Sequence, residues 1–206
     1  MMAEIIRCGK DPVYFSNKYA KISHPLHGLI PFDMYQFQEE ALRDFKKNRF
    51  NIILKARQLG ISTTVASYVC WLLLFHRDKN ILVVATKLNT AANLVKKSKA
   101  IYKNLPSWLK ITNGSQVKAS STSGDAGRSE ALSLLVIDEA AIVEGLDEMW
   151  AGLYPTLSTG GTCIALSTPY GVGNWFHKNY TEAEEGKNDF NPIKLPWTVH
   201  PERDQA

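Results

Sequence analysis

Short apolar runs alternate with stretches of helical period along most of the chain. The spacing of Phe37, Ala41, Leu42 and Phe45 predicts an amphipathic helix over residues 34–47. Asn51–Leu54 then forms a short strand, apolar after Asn51, and residues 62–76 an apolar helix that opens on Ser62, Thr63 and Thr64. Residues 81–85 (ILVVA) read as a second buried strand. Residues 89–103 read as a helix with Asn89 or Thr90 as N-cap. The polar, glycine-containing stretch 112–130 holds room for a short strand near Val117. Leu134–Ile137 is a third apolar strand, 144–157 a helix, Thr162–Leu166 a strand and Trp175–Glu185 a helix. Strands apolar on both faces, alternating with helices, imply an α/β fold: a mainly parallel sheet with helices on both faces. Residues 1–33, punctuated by Pro12, Pro25, Gly28 and Pro31, read as an N-terminal arm of turns and short elements before a core over 34–206. The tail from Asn188 on reads as irregular.

Composition adds boundaries to this picture. The chain has 206 residues, 45% hydrophobic and 21% charged, which suits one α/β domain with a full core. A formal charge of +4 is a weak pointer to a polyanionic partner. Cys8, Cys70 and Cys163 are widely spaced, without a CxxC pair, and Cys70 and Cys163 fit as buried small hydrophobes in a reducing compartment. His24 and His27 lie close in sequence, but no Cys or acidic cluster completes a zinc site around them. The start lacks the apolar core of a signal peptide, and the apolar run Cys70–Phe75 is far short of a membrane span.

Two segments carry candidate chemistry. The first, Lys55 to Thr63 (KARQLGIST), joins the strand at 51–54 to the next helix. A phosphate loop normally reads Gly-x-x-x-x-Gly-Lys-Ser/Thr. Here Gly60 and Ser62 stand in the second-glycine and hydroxyl positions, Ile61 replaces the usual lysine, and Lys55 takes the place of the first glycine. Backbone N–H groups at a helix N-terminus can hold phosphate oxygens, Ser62 can ligate Mg²⁺, and an ammonium at Lys55 can reach the β/γ-phosphates. The same segment also fits an ordinary strand–turn–helix with a basic turn. The second segment is Leu134-Leu-Val-Ile-Asp138-Glu139, an apolar strand ending in two adjacent carboxylates. Burying charge is costly without a compensating cation. Asp138 is therefore placed to hold Mg²⁺, and Glu139 to polarise an attacking water as general base. The two motifs in this order are more specific than either alone.

Weaker signals surround these. Ser167 or Thr168, at the end of the strand before Pro169, can sense a γ-phosphate or the hydrolytic water. The Gln38 amide can pair with the N6/N7 edge of adenine, though it also fits a solvated helix residue. Arg57 and Arg128 are candidate phosphate sensors.

Phe32–Gln38 (FDMYQFQ), Ala56–Thr63 (ARQLGIST), Val136–Ala141 (VIDEAA) and Leu166–Pro169 (LSTP) together resemble the large terminase subunit of tailed bacteriophages, with the T-even-like phages most similar. Residues 24–32 (HPLHGLIPF) and 197–203 (WTVHPER) extend the likeness over most of the chain. The resemblance implies a RecA-like phosphate-loop ATPase core that couples Mg²⁺-ATP hydrolysis to threading double-stranded viral DNA into a preformed capsid. It places the nucleotide-binding loop at Lys55, Arg57, Gln58, Gly60, Ile61, Ser62 and Thr63. It also implies a Walker B aspartate and metal ligand at Asp138 beside Ser62, and a catalytic glutamate at Glu139 assisted by Arg57 or by a neighbour's arginine. The coupling motif falls on Ser167 and Thr168, and the adenine contact on Gln38. Some terminases carry the loop lysine at its start, which favours Lys55 here.

The implied partners are DNA, the capsid portal protein, the small terminase subunit and further copies in a ring, with a monomer expected in isolation and no membrane. The implied setting is the cytoplasm of an infected bacterium, transiently at the procapsid portal. Family members continue into a lid subdomain and a nuclease domain, so nuclease activity is not carried over to this chain. Two other readings remain: a helicase-like core, against which Asp-Glu-Ala-Ala stands in place of a helicase box, and a nucleotide-binding module with negligible hydrolysis.

Overall fold

The computed structural model describes residues 1–24, 26–122 and 131–202. The chain opens with two helices, α1 (Met2–Lys10) and α2 (Pro12–Tyr19), and an antiparallel hairpin of β1 (Lys21–His24) and β2 (Gly28–Pro31). Then follow α3 (Gln36–Lys47), β3 (Phe50–Lys55), α4 (Ile61–Phe75), β4 (Asn80–Ala85), α5 (Leu88–Lys103), β5 (Gln116–Ser121) and β6 (Leu134–Asp138). The described part ends with α6 (Leu146–Leu153), β7 (Thr162–Ser167), α7 (Trp175–Glu184) and β8 (Phe190–Leu195).

Strands β3 to β8 form one six-stranded sheet in the order β5-β4-β6-β7-β3-β8, and every pairing is parallel. The alternation of side chains explains why the strands are apolar throughout. Ile53, Ile81, Val83, Leu134, Val136, Ile164 and Leu166 face a core shared with α1 to α5. Ile52, Leu82, Val84, Leu135, Ile137, Cys163 and Ala165 face a second core shared with α6 and α7. All three cysteines are buried.

Three sequence expectations are revised and one is filled in. The tail is not irregular: β8 pairs with β3 along its whole length. It is an edge strand, and an edge tolerates Pro192 because a missing N–H can face away from the ladder. The short elements expected over residues 1–33 are two helices and a hairpin, and the helices pack into the main core. Phe15 and Cys8 are fully buried, the Trp71 indole N–H donates to the Cys8 carbonyl at 2.8 Å, and Ser16 and Ser67 share a hydroxyl hydrogen bond of 2.7 Å. The helix expected over 144–157 is α-helical only to Leu153 and then tightens into a 3-10 turn, Tyr154–Leu157, which carries Pro155. Finally, α5 is preceded by Lys87, with no side-chain cap, so Asn89 and Thr90 lie inside its first turn.

Candidate nucleotide site

Because the sheet is parallel, the last residues of β3, β6 and β7 reach the same edge. The register pairs Leu54 with Ser167 and Asp138 with Leu166. Lys55 and Asp138 therefore flank the end of β7, with Lys55 two positions further along, so that their Cα atoms lie about 12 Å apart across two interstrand spacings. Ligands of open parallel sheets bind at this edge.

The loop from β3 to α4 has two left-handed residues, Gln58 (φ 59°) and Gly60 (φ 73°). Gly60 caps α4, and its carbonyl accepts from Thr63 N at 2.8 Å and Thr64 N at 3.0 Å. Ser62 and Thr63 are half-buried in the first turn of α4, while Arg57 and Gln58 are exposed. The Ile61 side chain turns the other way: it is 1% exposed within the main core. Only its backbone can serve a phosphate, so the position that carries lysine in the common loop is here a packing position.

Gln38 lies behind this loop and is buried. Its Nε2 donates to the Leu59 carbonyl at 2.9 Å and its Oε1 accepts from Tyr35 N at 3.1 Å. One Nε2 hydrogen and one Oε1 lone pair remain for a base edge. The amide thus braces the loop, a role the sequence did not reveal. It also explains the glycine: a Cβ at Gly60 would sit 2.5 Å from Gln38 Nε2.

At the end of β6 the backbone turns abruptly. Asp138 is 7% exposed, and its Oδ1 accepts from Glu139 N at 3.0 Å. Glu139 is exposed and adopts φ 55°, ψ 38°. A left-handed glutamate is strained by about 1–3 kcal/mol, and such strain clusters at functional sites. The turn releases Glu139 from the strand's alternation, so the two adjacent carboxylates occupy different environments. The Ser167 hydroxyl, buried at the end of β7, accepts from Ala141 N at 3.1 Å and ties that strand end to the turn after Glu139. Thr168 follows it, half-buried.

Electrostatics single out Asp138. Burial pushes its pKa up, while Lys55 first and then the Glu139 N–H and Lys97 pull it down, and the Glu139 carboxylate pushes it up. Lys97, on α5, has its own pKa lowered by burial and by Lys55, against the pull of Asp138. A buried carboxylate with a single backbone hydrogen bond and two lysines in its field is suited to a cation that carries phosphates. Thr86, directly after β4, adds a buried Oγ1 with no hydrogen-bond partner among the described residues. Mg²⁺ is commonly held by one or two protein oxygens and completes its shell with phosphate and water, and the Asp138 carboxylate with the Ser62 hydroxyl would supply those two. Among the described residues no group of three or more His, Cys, Asp or Glu could form a protein-only metal cage.

Lys55, the loop residues 57–63, Asp138, Glu139, Ser167 and Thr168 therefore gather at one sheet edge, with Gln38 behind the loop. Arg128 lies outside the described residues. Thr86 and Lys97 were missed by sequence reasoning. A hydroxyl ending the strand at 81–85 was a usable signal for Thr86; nothing local distinguished Lys97 from its neighbours.

No family model matches the chain. Solved structures do. The large terminase ATPase domain of Thermus phage P74-26 superimposes with a TM-score of 0.62 at 20% identity, covering 83% of this chain and 84% of that one. The large terminase of bacteriophage HK97 gives a TM-score of 0.69 at 16% identity, covering 95% of this chain and 45% of that one. The fold is that of the large terminase ATPase domains. It extends to the UvsW helicase of bacteriophage T4, with a TM-score of 0.59 at 14% identity over 90% of this chain and 66% of that one. This terminase-type fold is a RecA-like phosphate-loop architecture, and the chain spans less than half of the HK97 chain it matches. None of its described helices is long and apolar enough to cross a membrane.

Proposed function

We propose that the chain is the ATP-hydrolysing domain of a viral DNA-packaging motor of the large terminase type. The observation that carries this reading is the convergence, on one edge of a terminase-type sheet, of the loop entering α4 with the Asp138–Glu139 turn. Backbone N–H groups of the loop and the N-terminus of α4 bind the phosphates. Lys55, leaving β3 beside the loop, supplies the ammonium that Ile61 cannot. Ser62 and Asp138 hold Mg²⁺, which would neutralise phosphate charge during transfer. Glu139, exposed and turned out of the strand, polarises the attacking water. Arg57, or an arginine of a neighbouring copy, stabilises the charge that develops. Ser167 and Thr168 link the end of β7 to that turn and pass the state of the site to the rest of the domain. Gln38 meets adenine with its remaining donor and acceptor while bracing Leu59.

In this reading the polymer moved is double-stranded viral DNA. The partners are the portal protein, the small terminase subunit and further copies in a ring, in the cytoplasm of an infected bacterium. A helicase-like ATPase core is the second reading, favoured by the likeness to UvsW. The residues Asp138-Glu139-Ala140-Ala141, without a further acid or histidine, favour the packaging motor.

The test is Mg²⁺-dependent binding of a fluorescent ATP analogue together with ATP turnover, in the parent and in Lys55→Ala. The expected result is at least about tenfold weaker binding and loss of turnover, since a charge-assisted phosphate contact is among the stronger hydrogen bonds. Unchanged binding in Lys55→Ala contradicts the loop assignment.

A further inference from the structure

Helix α5 has a solvent face of one chemical character. Its exposed residues are Leu88 at the start and then Asn89, Asn93, Lys96, Lys99 and Lys103, while Lys97 is exposed only on one side and lines a cavity with Lys21 and Thr63 on the other. There is no carboxylate anywhere in the helix. At 100° per residue, Lys96, Lys99 and Lys103 fall within an arc of about 60°, and at 1.5 Å rise they span about 10 Å. Lys110 extends the row: its ammonium donates to the Lys103 carbonyl at 2.8 Å, which places its charge at the carboxyl end of the helix. None of Lys96, Lys99 and Lys103 forms an ion pair among the described residues. Unpaired lysines in a row, without interspersed acids, are unusual for a merely solvated helix face, where mixed charges are the rule.

The opposite side of the sheet is acidic on balance, with Lys178 and the Glu185-paired Lys187 outnumbered by carboxylates. Glu144, Asp147, Glu148, Glu182, Glu184 and Glu185 are exposed on and around α6 and α7. A polyanion approaching the domain is thus attracted to one face and repelled from the other.

We propose that the Lys96–Lys99–Lys103 face of α5 is the surface on which this domain holds the phosphate backbone of double-stranded DNA. This rests on the packaging-motor reading and deepens it by naming the surface that grips the polymer. Three flexible ammonium groups over about 10 Å suit successive phosphates, and they carry no base-reading geometry. That is what a motor moving any sequence requires. The same helix carries Lys97, which lies in the field of Asp138 and Lys55. Lys97 also lines one cavity with Thr63 in the first turn of α4, so α5 borders that turn while carrying the proposed DNA surface. A displacement of α5 between nucleotide states would move the grip.

The test is anisotropy titration of a fluorescent 20-base-pair duplex from 50 to 200 mM KCl. It compares the parent with Lys96→Gln/Lys99→Gln/Lys103→Gln and with Lys178→Gln, an exposed lysine of α7, as control. Loss of three phosphate contacts predicts a plot of log affinity against log salt flatter by about 2.7, and affinity at 50 mM at least about tenfold weaker. The control should keep the parent's slope, and ATP binding should persist in all three proteins. Equal slopes for parent and triple variant overturn the proposal. Unchanged DNA binding with lost self-association, read by sedimentation velocity without DNA, also overturns it and assigns the face to a second copy of this chain. Failure of the parent to bind Mg²⁺-ATP would remove the ATPase reading and leave the DNA result to stand alone, so the two failures are separable.

Discussion

Ile61 decides how the lysine question is read. A lysine at its position would restore the common loop pattern, and from sequence alone that replacement looks harmless. The side chain, however, is 1% exposed in the core beneath α4. An ammonium placed there is unpaired and desolvated, which costs about 3–5 kcal/mol. Ile61→Lys is therefore expected to lower the thermal midpoint sharply without rescuing Lys55→Ala, as differential scanning calorimetry and turnover would record. A stable, active Ile61→Lys/Lys55→Ala double variant would mean that the position faces phosphate after all. Asp138 and Glu139 make the same point in reverse. Their adjacency suggested a shared site, but only the left-handed backbone at Glu139 shows how neighbours on a strand are given different surroundings.

The elements that flank the loop hold it in place. Gln38 belongs to α3, yet it reaches across to the Leu59 carbonyl and leaves no room for a side chain at Gly60. Gly60→Ala would meet both a left-handed φ and the Gln38 amide. It should cost about 1–3 kcal/mol and weaken nucleotide binding together with stability. Chemical denaturation and analogue binding check this, and an alanine variant with parent stability would contradict the brace. Most elements were legible in the sequence because the strands at 51–54, 81–85, 134–137 and 162–166 are apolar on both faces, which only a covered parallel sheet demands. Phe190–Leu195 was not legible: Pro192 and the polar Asn191 and Lys194 mask a strand that borrows its register from β3. Nor were α1 and α2, whose burial depends on contacts with α4 distant in sequence.

At the scale of the whole molecule, one sheet separates three groups of side chains. Its carboxyl edge gathers the loop entering α4 and the two carboxylates, one face carries the lysines of α5, and the other carries the acids of α6 and α7. The edge was readable from the order of two short motifs. The separation of charge was not, because it depends on which side of the sheet each helix packs. The central claim is that this edge hydrolyses ATP with Glu139 as the base. Glu139→Gln keeps size and hydrogen bonding but removes the basic carboxylate. The deciding measurement is single-turnover ATP hydrolysis by parent and Glu139→Gln at saturating Mg²⁺-ATP, with analogue affinity taken in parallel. The account predicts near-parent affinity and hydrolysis slower by about 10²–10⁴, the range of a positioned general base. Hydrolysis by Glu139→Gln at close to the parent rate would contradict it.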